Sequence, residues 1–234
     1  MPREHTKSPK VILFLAANPH NSQPLRLDEE IREIDAELRR SKHRDRFELK
    51  QRWAVRTRDL MRSLLDCQPH IVHFSGHGAG QPTNSQTKRS QSNPPQTIEN
   101  SRKAIYAGDT ATEKSKPSTP GEEGLILEDQ VGKPKLVETE ALSALFKLFT
   151  QSVECVLLNA CYSERQAQAI AQHIPYVVGM NQAIGDRAAI EFAVGFYEAI
   201  GAGEPIESAY ALGCVAIQMA GISEHLTPQL ITNA

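Results

Sequence analysis

The stretch HIVHFSGHG, residues 70–78, decides the fold. HIVHFS reads as a strand, closed by Gly76-His77-Gly78. Upstream, VILFLAA at 11–17 is a continuous apolar run, the signature of a strand buried on both faces. Pro19, Asn21 and Pro24 break it. Leu27, Ile31, Ile34 and Leu38 then follow in steps of four, three and four, one apolar stripe on a helix. Asp28, Glu29 and Glu30 at its front and Arg39, Arg40 and Lys42 at its back suit the helix dipole. FELKQRWAV at 47–55 alternates and reads as a strand nearer an edge, and 57–68 as a helix.

Downstream, residues 79–123 change character. Of these 45 positions, 24 are Pro, Ser, Thr, Gln or Asn, and only Ile98, Ile105 and Tyr106 are large and apolar. That is too little apolar surface to offset the entropy of ordering, so a disordered insertion is expected rather than a domain. Lys88-Arg89 and Arg102-Lys103 in it are basic pairs open to proteolysis. Whether the insertion regulates the protein or is an inert loop stays open. Beyond it, GLILE (124–128) and KPKLV (133–137) suggest a hairpin, 138–151 a helix, VECVLL (153–158) a strand, 163–174 a helix, YVVGM (176–180) a strand, and 186–202 and 205–220 helices. No final strand is legible in the tail EHLTPQLITNA. Strands alternating with helices predict an α/β domain with a mainly parallel sheet.

The 234 residues fit one domain interrupted by that insertion. Hydrophobic content of 40% and charged content of 23% fit a soluble globular protein, and a net charge of −2 argues against nucleic-acid wrapping. No apolar run reaches the length of a membrane span, and MPREHTKSPK is too polar for a secretory signal. Four scattered cysteines form no disulfide scaffold and no metal-ligand cluster. A cytoplasmic setting, with no metal and no cofactor, is therefore expected.

In parallel α/β sheets, chemistry gathers beyond the carboxyl ends of the strands. Two reactive side chains pass that filter. His77 follows HIVHFS between two glycines, and Cys161 follows VECVLL through Asn159 and Ala160. If the two strands are neighbours, imidazole and thiol face one crevice. The imidazole can then generate the thiolate and later protonate a leaving amine. The backbone amides of Gly78 and Cys161 can hold the oxyanion.

HFSGHG (73–78) and LLNACYSE (157–164) resemble the signature blocks of caspase-like cysteine peptidases of the CHAT type, relatives of caspases and separase. The hairpin GLILEDQVGKPKLV and the block from Val177 through Tyr210 extend the resemblance over nearly the whole chain outside 79–123. It implies a caspase-hemoglobinase three-layer α/β sandwich, endopeptidase activity with His77 and Cys161 as the dyad, and a protein or peptide substrate. It also implies a bacterial stress or phage-defence effector. With no sensor module fused to it, a separate activator protein is expected. In some relatives the position two before the cysteine is an acid lining a pocket for a basic side chain. Here it is Asn159, with Asn18 as a second candidate for the same pocket. Asp186 opens a helix, where an N-cap role competes with substrate binding.

Other features have plainer readings. Cys155 is expected in the core, Cys67 and Cys214 as helix packing, His73 as structural and His70 at the surface. The basic run Arg39–Arg52 is a solvated face. Gly76-His77-Gly78-Ala79-Gly80 lacks phosphate-loop spacing. A catalytically weak interaction module on the same fold is the alternative to an enzyme.

Overall fold

The computed structural model describes residues 8–80 and 124–233. β1 (Lys10–Ala17) explains the layering. Its Ile12, Phe14 and Ala16 enter one apolar core, and its Leu13, Leu15 and Ala17 the other. Side chains alternate faces along a strand, so an unbroken apolar run needs helices above and below. Helices α1 (Leu27–Arg40), α5 (Asp186–Ala202) and α6 (Ile206–Met219) cover the Phe14 face. Helices α2 (Thr57–Cys67), α3 (Thr139–Lys147) and α4 (Glu164–Ile170) cover the Leu13 face. The expected three-layer sandwich is the observed one.

The sheet runs β2 (Phe47–Arg52), β1, β3 (Ile71–Ala79), β6 (Cys155–Asn159), β7 (Tyr176–Met180), β8 (Pro228–Thr232). The first five strands are parallel, and β8 pairs antiparallel with β7. β8 supplies a final strand in the tail, where the sequence showed none clearly. PQLIT is short and carries only Leu230 and Ile231 as large apolar side chains, so it has almost no pattern of its own. Its context makes it a strand: β7 offers a free edge, the Tyr210 hydroxyl donates to the Pro228 carbonyl at 3.0 Å, and Asn181 N–H donates to the Thr227 carbonyl at 3.1 Å.

β3 also differs from expectation. It does not close at Gly76 but runs on to Ala79, because β4 (Gly124–Glu128) pairs antiparallel with its last three residues. β4 and β5 (Pro134–Glu138) form the expected hairpin, its turn held by Val131 and Lys133 N–H groups, each 2.8 Å from Asp129 Oδ1. β2 stops earlier than expected, at Arg52. Ala54 there takes φ 52°, and Val55 N–H donates to the Ala16 carbonyl at 3.1 Å. Residues 81–123, with the basic pairs Lys88-Arg89 and Arg102-Lys103, lie outside the described residues.

Helices α5 and α6 pack closely enough that small residues are required at their contact. A Cβ on Gly213 would sit 2.8 Å from the Phe192 ring. Overpacking of this kind costs about 1–3 kcal/mol and outweighs the gain of about 1 kcal/mol in helix propensity. Gly213→Ala is therefore expected to lower the urea midpoint, and an unchanged or raised midpoint would show that the helix pair yields.

Candidate active site

Parallel strands deliver their carboxyl ends to one edge, so the β3–β6 pairing fixes what meets there. The register runs from Ile71↔Cys155 to Ser75↔Asn159. His77 and Cys161 each follow that last pair by two positions. Past it the two chains part. β6 ends and the chain reverses into α4 through Tyr162, whose φ of 56° lies in the left-handed region that a residue with a side chain rarely adopts.

Three residues hold this reversal. Tyr162 N–H donates to the Gln182 carbonyl at 3.2 Å. The buried Ser163 hydroxyl donates to the Leu158 carbonyl at 2.9 Å and accepts from Met180 N–H at 3.0 Å. The Gln166 amide, oriented to satisfy its neighbours, donates to the Tyr162 and Ser163 carbonyls at 3.2 Å each and accepts from Gly124 N–H at 3.0 Å. β3 runs straight across the turn. A Cβ on Gly78 would lie 2.1 Å from the Cys161 carbonyl oxygen, and one on Gly80 would lie 2.9 Å from Tyr162 Cβ. Only glycine permits this approach.

His77 is partly buried. Its imidazole is hydrogen-bonded to the Gln23 backbone, and its Nε2 is buried with no hydrogen-bond partner among the described residues. Burial pulls its pKa below the ordinary value of 6.5, while the Gln23 backbone and the Asp186 carboxylate push the other way. The Cys161 thiol is partly exposed and donates to the Ile184 carbonyl at 3.7 Å.

The three candidate pocket residues have different surroundings. Asn18 is exposed. Its N–H donates to Glu128 Oε1 at 3.2 Å and its side-chain amide to the Leu25 carbonyl at 3.4 Å. Asn159 is only 4% exposed, and its amide donates to Glu30 Oε1 at 2.7 Å and to the Ala189 carbonyl at 3.2 Å. Its side chain therefore packs beneath the crevice. Asp186 is the first residue of α5, and the N-cap is Gly185, not Asp186. The Asp186 carboxylate accepts from Arg26 N–H at 3.2 Å and from Arg26 Nε at 3.1 Å.

Two contributions were not legible in the sequence. One is the loop 18–26, which docks on the hairpin through Glu128, and through His20 N–H donating to the Gly132 carbonyl at 2.7 Å. It docks on α5 through Arg26 and brings the Gln23 backbone to His77. A backbone acceptor leaves no side-chain signal. The other is Glu30, discussed below. The remaining candidates behave as structure. Cys155 is fully buried, which pushes its thiol far up. Burial also raises Cys214. His73 stacks on Tyr197 with 5.7 Å between ring centroids. His70 Nδ1 accepts from Val11 N–H at 3.1 Å.

The three-layer sandwich with its mostly parallel sheet is a caspase-like cysteine protease fold. The family model for the CHAT domain matches residues 2–220, and the chain belongs to that family. It is 22% identical over 191 residues to a probable protease of Gillisia limnaea, covering 80% of this chain and about a quarter (26%) of that relative's length. It is also similar to the X-ray structure of a secreted C11 cysteine protease from Bacteroides thetaiotaomicron in complex with an irreversible peptide inhibitor. The TM-score is 0.58 at 12% identity, covering 96% of this chain and 66% of that one. No helix among the described residues is long and apolar enough to cross a membrane.

Two measurements check the geometry. Gly78→Ala must displace the Cys161 turn, so the rate of Cys161 alkylation by iodoacetamide is expected to change at least tenfold, and an unchanged rate would mean that the chains are not in contact. NMR titration of the His77 ring is expected to give a midpoint below 6.5, moving lower still in Asp186→Asn, since that carboxylate favours the protonated ring. A midpoint above 6.5 would contradict the burial assigned to it.

Proposed function

We propose that the chain is a cysteine endopeptidase with Cys161 as nucleophile and His77 as acid–base. The observation that carries this reading is the β3–β6 register, which starts both residues from one pair, with Gly78 passing so close to the Cys161 carbonyl that a Cβ would not fit. His77 takes the thiol proton. The thiolate attacks the scissile carbonyl carbon, and the Gly78 and Cys161 amides hold the resulting oxyanion. The C–N bond then breaks, and the imidazolium gives its proton to the leaving amine. Water, deprotonated by His77, attacks the thioester; the acid product leaves and the thiol is restored. A depressed imidazole pKa suits this role, because the ring is neutral and able to accept the proton at pH 7.

Cleavage of a peptide or protein substrate fits the named relatives, one a probable protease and the other solved with a peptide inhibitor. Asn18 and Asp186 are read as the rim of the substrate crevice. Asp186 is already paired with Arg26, so a strong preference for basic side chains before the cut is not expected. The wider reading is a cytoplasmic bacterial stress or phage-defence effector switched on by a separate sensor protein.

A second reading has one observation in its favour. The thiol donates to Ile184 and the Nε2 of His77 has no partner among the described residues, so imidazole and thiol are not joined by a hydrogen bond. A weakly catalytic interaction module would retain that state. Labelling with a peptidyl acyloxymethyl ketone, read by intact mass, separates the two. The peptidase reading expects one adduct on the wild type, none on Cys161→Ala, and at least a hundredfold slower labelling of His77→Ala. Equal labelling of wild type and His77→Ala favours the interaction module.

A further inference from the structure

Glu30 breaks the pattern of its own helix. It lies beside the apolar stripe Leu27, Ile31, Ile34 and Leu38 of α1, yet it is 2% exposed, as buried as they are. A carboxylate taken out of water is costly unless donors surround it, and an apolar side chain would cover this face more cheaply. The donors it has found come from the sheet, from the two strands that lead to the candidate dyad. Ser75 of β3 donates its hydroxyl to Oε2. Asn159 of β6 donates its amide to Oε1 at 2.7 Å. His73 Nε2 of β3 also lies 3.1 Å from Oε1, without hydrogen-bonding geometry. Both donors and the neighbouring His73 are buried, with 4% exposure or less.

Their positions give the cluster a consequence beyond stability. Ser75 and Asn159 form the last β3–β6 pair; His77 stands two positions further on, on the same face of β3 as Ser75, and Cys161 stands two positions past Asn159, just beyond the end of β6. A group that ties Ser75 to Asn159 therefore sets the separation and register of the two strands immediately before they diverge. The close approach of Gly78 to the Cys161 carbonyl leaves little slack above that point.

We propose that Glu30 is a positioning residue whose carboxylate clamps β3 to β6 beneath His77 and Cys161 and so fixes how imidazole and thiol meet. This rests on the dyad reading above. The clamp acts through geometry. A glutamine at position 30 can reproduce it: its oxygen accepts from Asn159, and its NH2 donates to Ser75, whose hydroxyl both donates and accepts. An alanine cannot.

The test compares wild type, Glu30→Gln, Glu30→Ala and His77→Ala by Cys161 alkylation with iodoacetamide at pH 7, and by kinact and KI with the peptidyl ketone. Glu30→Ala is expected to lose at least tenfold in alkylation rate and in kinact with KI unchanged, and Glu30→Gln to stay within about threefold of wild type. Glu30→Ala reacting like wild type overturns the clamp and leaves the dyad standing. Glu30→Gln falling as far as Glu30→Ala also overturns it, since charge rather than the bridge would then matter. Wild type reacting no faster than His77→Ala overturns the dyad, and the clamp with it. If Glu30→Ala does not fold, Ser75→Ala, Asn159→Ala and the double variant decide. A single bridge predicts that the double variant loses no more than the worse single one, and additive losses contradict it.

Discussion

The parallel pairing of β3 with β6 is the constraint from which the chemistry of this fold follows. Parallel strands carry no hairpin, so each must be brought back by a helix, and their carboxyl ends line up at one edge of the sheet. Five residue pairs, Ile71↔Cys155 to Ser75↔Asn159, set that alignment. Above the last pair β3 continues, supported by β4, while β6 ends and turns through the strained Tyr162. One chain thus passes over the other, and glycines at 78 and 80 make the crossing sterically feasible.

Three supports outside these strands hold the crossing. On the α1/α5 side, the loop 18–26 reaches from the hairpin to Asp186 and presents the Gln23 backbone to His77. On the other side, the Gln166 amide joins the cysteine turn to the first residue of β4. The β7–α5 segment completes the cradle. Gln182 accepts from Tyr162 N–H, Ile184 accepts from the thiol, and Gly185 N–H donates to Glu224 at 2.6 Å.

Most of the architecture was written in side-chain periodicity. The stripe of α1 and the unbroken run of β1 each admit one reading, and α5 spans 186–202 as its pattern implies. The elements that escaped are those stabilised by neighbours. β8 has little pattern and exists because β7 leaves an edge. The extension of β3 through Gly76-His77-Gly78 exists because β4 supplies a partner. Of the candidate site, the sequence singles out His77, Gly78 and Cys161 as reactive or small residues past strand ends; Cys161 does follow β6, whereas His77 and Gly78 lie within β3. Glu30 is not singled out: among acids at the start of a helix it looks like a dipole partner, and only the folded chain shows it turned inward. Asn159 was read as lining the crevice, whereas the same carboxylate engages it from below.

A crystal structure of the wild-type protein after reaction with a peptidyl ketone tests the central claim most directly. The account predicts a covalent bond to Cys161 Sγ, the Ile184 carbonyl released, and His77 Nε2 within hydrogen-bonding reach of the adduct, about 2.6–3.2 Å. An adduct on another residue, or one on Cys161 with His77 turned away, would contradict it.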